Sequence, residues 1–225
     1  MSKKFVVQSG ILIMSMLVSC INAFPHLYAN DGECAFEGEC GVVGESGIFV
    51  PSGSGLMGMY IVESAGYVLD AHSAVLQFMN RYELAELNGA DFSEMKELLS
   101  RAIDNLRQAR SNYLFIHFVA QNTPYSRAVI DRLKSFDYDG FQKRPHIFPK
   151  QFDRLKGYLG RGDVRGIWSA ISRDLDSLLR QLIVLKFFVD RDKFPPVQRV
   201  WKLNQAFSDN LFFGQYFAMV MYEVK

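Results

Sequence analysis

The sequence predicts an all-α protein: a bundle of four long helices joined by short crossover helices and preceded by a Gly-rich N-terminal arm. Three observations lead there. Apolar residues recur at three- and four-residue spacing over stretches of about thirty residues, which is the period of one buried helical face. No convincing run alternates apolar and polar residues as a half-buried strand does. Capping and breaking residues, Asn88-Gly89, Asp91, Pro124, Asp163 and Pro195-Pro196, stand where those periodic stretches begin or end.

The helical domain is expected over residues 58–225. Ile61, Ala65, Val68, Leu69, Val75, Leu76, Met79 and Tyr82 outline a first helix from Met59 to Leu87, stopped by Asn88-Gly89. Asp91-Phe-Ser-Glu94 has the form of a capping box, in which the aspartate accepts from an early helical N–H and Glu94 reaches back. It opens a second helix, Phe92 to Gln121, with Phe92, Met95, Leu99, Ala102, Ile103, Leu106, Ala109, Tyr113 and Leu114 along its seam. The two helices form an antiparallel hairpin about 45 Å long at helical rise. A crossover from Tyr125 to Leu159 follows, with one short helix from Tyr125 to about Phe136, a break at Asp137-Tyr-Asp-Gly140, a two-proline loop and a second short helix from Lys150. Asp163 then caps Val164 to Val189, whose seam is Ile167, Ile171, Leu175, Leu178, Leu182, Leu185 and Phe188. This stretch echoes the second helix at a shift of seventy-two residues, aligning Asp91 with Asp163, Ser100 with Ser172, Arg101 with Arg173 and Leu106 with Leu178, a level of identity that two amphipathic helices also reach by chance. Pro195-Pro196 starts the last helix, Pro196 to Tyr222. From Leu211 onward that helix is apolar nearly all round, as expected of a segment central in a core or covering a partner.

With 225 residues and 49% hydrophobic content the chain can bury a sizeable core. Its net charge of +1 gives no reason to expect a nucleic-acid partner. The charge is unevenly placed, however. Residues 20 to 80 hold seven acids and no Lys or Arg, whereas residues 127 to 173 hold eleven cations against five acids. Within the basic part, Phe141, Phe148, Phe152 and Tyr158 interleave with Lys143, Arg144, Lys150, Arg154 and Lys156. Lys143, Arg144, Lys150 and Arg154 are therefore the candidate contacts for an envelope protein, an anionic polymer or lipid headgroups. The competing reading has the aromatics capping the bundle and the cations facing water.

At the N-terminus, Lys3 and Lys4 precede an apolar run to Ser19, the layout of a secretory signal over residues 1–19. The run ends in Leu17-Val18-Ser19-Cys20, which resembles the lipobox of bacterial lipoprotein signal peptides. The resemblance covers only the first twenty residues. It implies export, cleavage before Cys20 and acyl chains on Cys20, tying the protein to a membrane; ordinary cleavage after Ala23 or Ala29 and an uncleaved anchor are the alternatives. Residues 20–57 then form a flexible acidic arm with eight glycines from Gly32 to Gly58, ending in the linker-like Ser52-Gly-Ser-Gly55. Loss or lipidation of Cys20 leaves Cys34 and Cys40 as a pair, read as a disulfide closing a small loop in an oxidising compartment. A zinc site there is the weaker reading, because the soft thiolates of Cys34 and Cys40 would be mixed with the hard carboxylates of Glu33, Glu37 and Glu39 and no second Cys-x-x-Cys or nearby His completes a tetrahedral set.

Catalytic signatures are missing from the sequence. It contains no Gly-x-Ser-x-Gly elbow, Glu-x-x-His pair or Cys-x-x-Cys-His motif, and neither a phosphate loop nor a dinucleotide glycine fingerprint set in a strand–turn–helix unit, so no catalytic residue, metal site or cofactor is assigned. His72 and His117 both lie in helix seams. With the hairpin turn as pivot they stand about ten residues, or roughly 15 Å, apart along the axis and cannot share one ion. His117 with Glu63 remains as a partial ligand site beside the bland reading of a satisfied bundle-edge histidine. The expected function is thus an exported, lipid-anchored helical module that binds or scaffolds something in the cell envelope, and no enzyme. The alternative is a ligand- or metal-binding sensor or carrier with a pocket between the helices near His117.

Overall fold

A computed structural model describes residues 53–88, 91–122, 125 and 127–224. Residues 1–52, the stretch read as a signal and most of the Gly-rich arm, lie outside the described residues, and with them Cys20, Cys34 and Cys40. The described chain is 86% helical without a strand, so the fold is all-α. Seven helices follow one another: α1 Gly53–Asn88, α2 Phe92–Asn122, α3 Arg127–Ser135, α4 Tyr138–Gln142, α5 Pro149–Leu159, α6 Val164–Val189 and α7 Val197–Glu223.

Most boundaries fall within two residues of the expectation, and departures at α1, α4 and α5 each have a local reason. Helix α1 begins at Gly53 and so includes most of the stretch read as a linker. Adding residues to an existing helix forms one hydrogen bond per residue fixed, which suffices to carry it through glycines that would not nucleate one. The Asp137–Gly140 stretch, read as a break, nucleates α4. Asp137 caps it by accepting from the Gly140 N–H at 2.9 Å, and a Cβ on Gly140 would sit 2.2 Å from the Asp137 carboxylate oxygen. Pro149 occupies the first turn of α5, where its missing N–H leaves no bond unmade.

The chain divides into two compact units, Met59–Asn122 with Val164–Phe212, and Thr123–Asp163 with the chain end Phe213–Lys225. In the first, Asp91 caps α2 as expected, accepting from the Ser93 and Glu94 N–H groups at 3.0 and 3.2 Å. The return half of the capping box does not form, because Glu94 instead accepts from Arg81 of α1 at 2.8 Å. The pairs Arg81–Glu94, Arg101–Gln77, Asn112–Glu63 and Tyr60–Phe115 run in opposite order along α1 and α2, so the hairpin is antiparallel. Helices α2 and α6 are antiparallel in the same way, through Lys96–Asp192, Arg110–Asp176 and Tyr113–Trp168. Helices α1 and α7 pair through His72 with Asn204, where the imidazole Nε2 meets the amide oxygen at 2.9 Å, and through His72 stacked on Phe207. Met95, Leu98, Leu99, Ile103, Leu106 and Tyr113 of α2 and their counterparts seventy-two residues on, Ile167, Ala170, Ile171, Leu175, Leu178 and Leu185 of α6, are all buried. The two echoing helices thus bury equivalent faces, as amphipathic helices in phase must, whether or not they share an origin.

In the second unit the aromatic residues carry the packing. Phe141, Phe152, Phe213 and Tyr216 are buried, with Phe141 stacked on Phe152 at 5.1 Å and Phe152 edge-on to Tyr216 at 6.0 Å. The largely apolar end of α7 is the spine of this small core: Tyr216, Phe217 and Val220 are buried there. The Tyr216 hydroxyl holds the proline-flanked turn, accepting from the Phe148 N–H at 3.0 Å and donating to the His146 carbonyl at 3.2 Å. His146 is held with φ at 71°, in the left-handed region a non-glycine residue rarely adopts.

Candidate functional site

The residues singled out by sequence fall into two places. In the first unit, Glu63 is exposed on α1, and its two oxygens accept from Tyr67 at 3.1 Å and Asn112 at 2.9 Å. His117 lies five residues beyond Asn112, or roughly 7 Å along α2 at helical rise, so these bonds do not join Glu63 to it. Its Nδ1 is buried without a hydrogen-bond partner among the described residues. Those residues hold no group of three metal-capable side chains. The observed register sets His72 and His117 about fourteen residues apart along the hairpin, roughly 20 Å, farther than the turn-centred estimate. His72 is itself a core residue. Burial holds its pKa below the usual histidine value, with the Asn204 bond opposing that shift, and the imidazole stays neutral.

In the second unit, two of the four cations expected to face a partner, Arg144 and Arg154, are engaged with the protein itself. Arg144 forms a two-pronged pair with Glu223, its Nη2 donating to Oε2 at 2.9 Å, while its guanidinium lies 4.7 Å over the Phe141 ring. Arg154 lies 4.7 Å over Phe213, and Lys156 pairs with Asp139 at 2.6 Å, holding that carboxyl below its usual pKa. Lys143 and Lys150 face solvent. Beside the Arg144–Glu223 pair is an open cleft of about 630 Å³ lined by Arg132, Ser135, Phe136, Asp137, Gly140, Phe141, Arg144, Glu223 and Val224. Both arginines of its wall serve the end of α7: Arg132 donates to the Val224 carbonyl at 3.2 Å, and Arg144 holds Glu223. Cations at a helix C-terminus meet its partial negative charge, so the cleft wall is accounted for by helix termination.

Sequence reading passed over a third place, the hairpin formed by the end of α6 and the start of α7. Ile183, Val184 and Phe187 on α6 and Val197 and Trp201 on α7 are exposed large apolar residues. Six cations stand among them from Arg180 to Lys202, with two acids. A signal was present: Ile183 and Phe187 are four residues apart and fall outside the seam Leu178, Leu182, Leu185 and Val189, forming a second apolar row that a core does not require.

No family model matches the chain, and neither the curated proteins nor the solved structures contain a match.

Proposed function

We propose that the chain is an exported lipoprotein, cleaved before Cys20 and acylated there, whose helical part acts as a binding or scaffolding module at the cell envelope. The observation that carries this reading is Leu17-Val18-Ser19-Cys20 behind a basic, then apolar, leader. No described helix is long and apolar enough to cross a membrane, so in this reading attachment comes from lipid on Cys20. Cys34 and Cys40 then pair in the oxidising compartment. Mass spectrometry of the native N-terminus tests the proposal. A chain starting at acylated Cys20 is the expected result; a start at Phe24 or Asn30 removes the lipid anchor, and an intact Met1 removes export as well.

A second reading, a ligand- or metal-binding sensor, draws on the unpartnered buried Nδ1 of His117. A stoichiometric metal or chromophore in the natively purified protein, lost in His117→Ala, would favour it over scaffolding.

A further inference from the structure

We infer that the hairpin from Arg180 to Lys202 is a docking surface for an anionic lipid bilayer. The membrane is the one supplied by the envelope proposal, on which the cellular role rests; the chemistry is the hairpin's own. Phe187 and Trp201 are 54% and 49% exposed, well beyond what incidental surface contact of a core residue gives. Arg199 lies 6.0 Å over Phe188, which ties α6 to α7 at this level and places Phe187 and Trp201 at the same height of the hairpin. Phe187 is also covered on one side by Arg191, 3.5 Å from the ring, an aromatic–guanidinium pair suited to the headgroup layer.

Charge selects the occupant. Both acids of the hairpin are used internally, Asp190 by Lys186 and Asp192 by Lys96 of α2. Arg180, Lys193 and Lys202 are exposed and make no ion pair among the described residues, and with six cations against two paired acids the hairpin's surface charge is predominantly positive. A protein partner ordinarily presents mixed charges and a shaped apolar pocket, whereas a bilayer presents diffuse negative charge over an apolar interior. Exposed cations around separate, unpocketed apolar side chains match the second. Tryptophan and phenylalanine at the tip then sit at the headgroup boundary while the arginines and lysines meet phosphates.

The two tryptophans make the test direct, because Trp168 is buried and Trp201 is not. The full chain carrying Trp168→Phe is mixed with vesicles of phosphatidylcholine, alone or with phosphatidylglycerol, some labelled with brominated acyl chains. The expected result is a blue shift of Trp201 emission and bromine quenching with phosphatidylglycerol. Both should weaken in about 0.5 M salt as the Debye length shrinks. Arg180→Glu, Lys193→Glu and Lys202→Glu should each lower partitioning about fivefold or more, the fold-change corresponding to one cation near such a surface. If Trp168→Phe fails to fold by far-UV circular dichroism, the wild-type chain gives the reading as a difference on adding lipid, since buried Trp168 contributes a constant background. A chain that cosediments with vesicles while Trp201 emission stays unchanged overturns the inference and leaves the lipid anchor standing. An equal response to soluble polyphosphate, or a response to protein concentration without lipid, overturns it in favour of a polyanion or a second copy. A full response to lipid in a protein shown to lack acylation on Cys20 upholds the hairpin and removes the lipoprotein reading.

Discussion

Two stretches of this chain interleave cations with aromatic rings, and they use them in opposite ways. Between residues 141 and 158 the two helical rings in phase with a seam, Phe141 and Phe152, are buried, while Phe148 in the turn is 47% exposed, and Arg144 and Arg154 lie over rings of their own unit. Between residues 180 and 202 Phe187 and Trp201 face outward, and three of the cations, Arg180, Lys193 and Lys202, have no ion-pair partner among the described residues. Composition does not separate the two. Phase does: Phe152 shares its face with buried Leu155 and Leu159, whereas Phe187 stands off the buried row of Leu178, Leu182 and Leu185. An aromatic in phase with a helix seam is core even when cations surround it, and one out of phase is surface available for a partner.

Truncation of each kind of ring breaks or upholds that distinction with the largest effect. Phe152→Ala removes a fully buried ring that touches Phe141 and Tyr216, and should cost about 3–5 kcal/mol in denaturant unfolding. Phe187→Ala should stay within about 0.5 kcal/mol of wild type, as surface substitutions do. Comparable losses at the two sites would mean that the hairpin ring is structural and the contrast is mistaken.

A hydroxyl deletion sharpens the inward case. Tyr216→Phe keeps the ring but takes away the acceptor for the Phe148 N–H and the donor for the His146 carbonyl. The expected cost is about 1–2 kcal/mol, with loosening of the turn at His146 visible as faster amide exchange at Phe148. Unchanged stability would show that water satisfies the turn and that the basic–aromatic stretch is less fixed than its packing indicates.

The all-α class was legible in the sequence because helical periodicity is a local property, summed over long stretches such as Met95 to Tyr113 that give a consistent answer. The α2 cap was legible for the same reason, since Asp91 acts on the next three residues. What stayed hidden depends on partners distant in sequence. Glu94 abandons the capping box for Arg81, thirteen residues away, and Arg144 finds Glu223, seventy-nine residues away. Spacing along the chain shows that a cation is present but not which acid or ring will claim it. Hence Lys143, Arg144, Lys150 and Arg154 read as a partner surface, although two of the four serve the fold. The off-seam row at Ile183 and Phe187 was legible in principle, but only once the seam itself had been fixed by burial.

Acid titration extends the contrast to the core beneath the exposed hairpin. His72 has its pKa lowered by burial, so between its folded value and the ordinary histidine value of about 6.5 the unfolded chain binds the extra proton. Its contribution to stability is therefore complete above about pH 6.5 and is lost as pH falls through that window. The slope cannot exceed about 1.4 kcal/mol per pH unit for one proton. His72→Gln should flatten it, while Lys202→Gln on the exposed face should leave it as it is. If the slope survives in His72→Gln, another group governs acid lability.

The smallest expected effect lies where the two stretches are most alike, in a cation over a ring. Arg144→Ala loses a two-pronged pair and a ring contact, yet its side chain is 48% exposed, and water and salt screen most of what the pair supplies. A loss of up to about 1 kcal/mol at low ionic strength, shrinking in molar salt, is expected in thermal or denaturant unfolding. Arg191→Ala, at the ring of Phe187, should change solution stability still less, since neither member of that pair is buried. The two variants should instead part company on anionic vesicles, where Arg191→Ala weakens Trp201 insertion and Arg144→Ala does not. If Arg144→Ala weakened it as strongly, net charge would be steering the chain to lipid, and the outward phase of the hairpin would lose its special role.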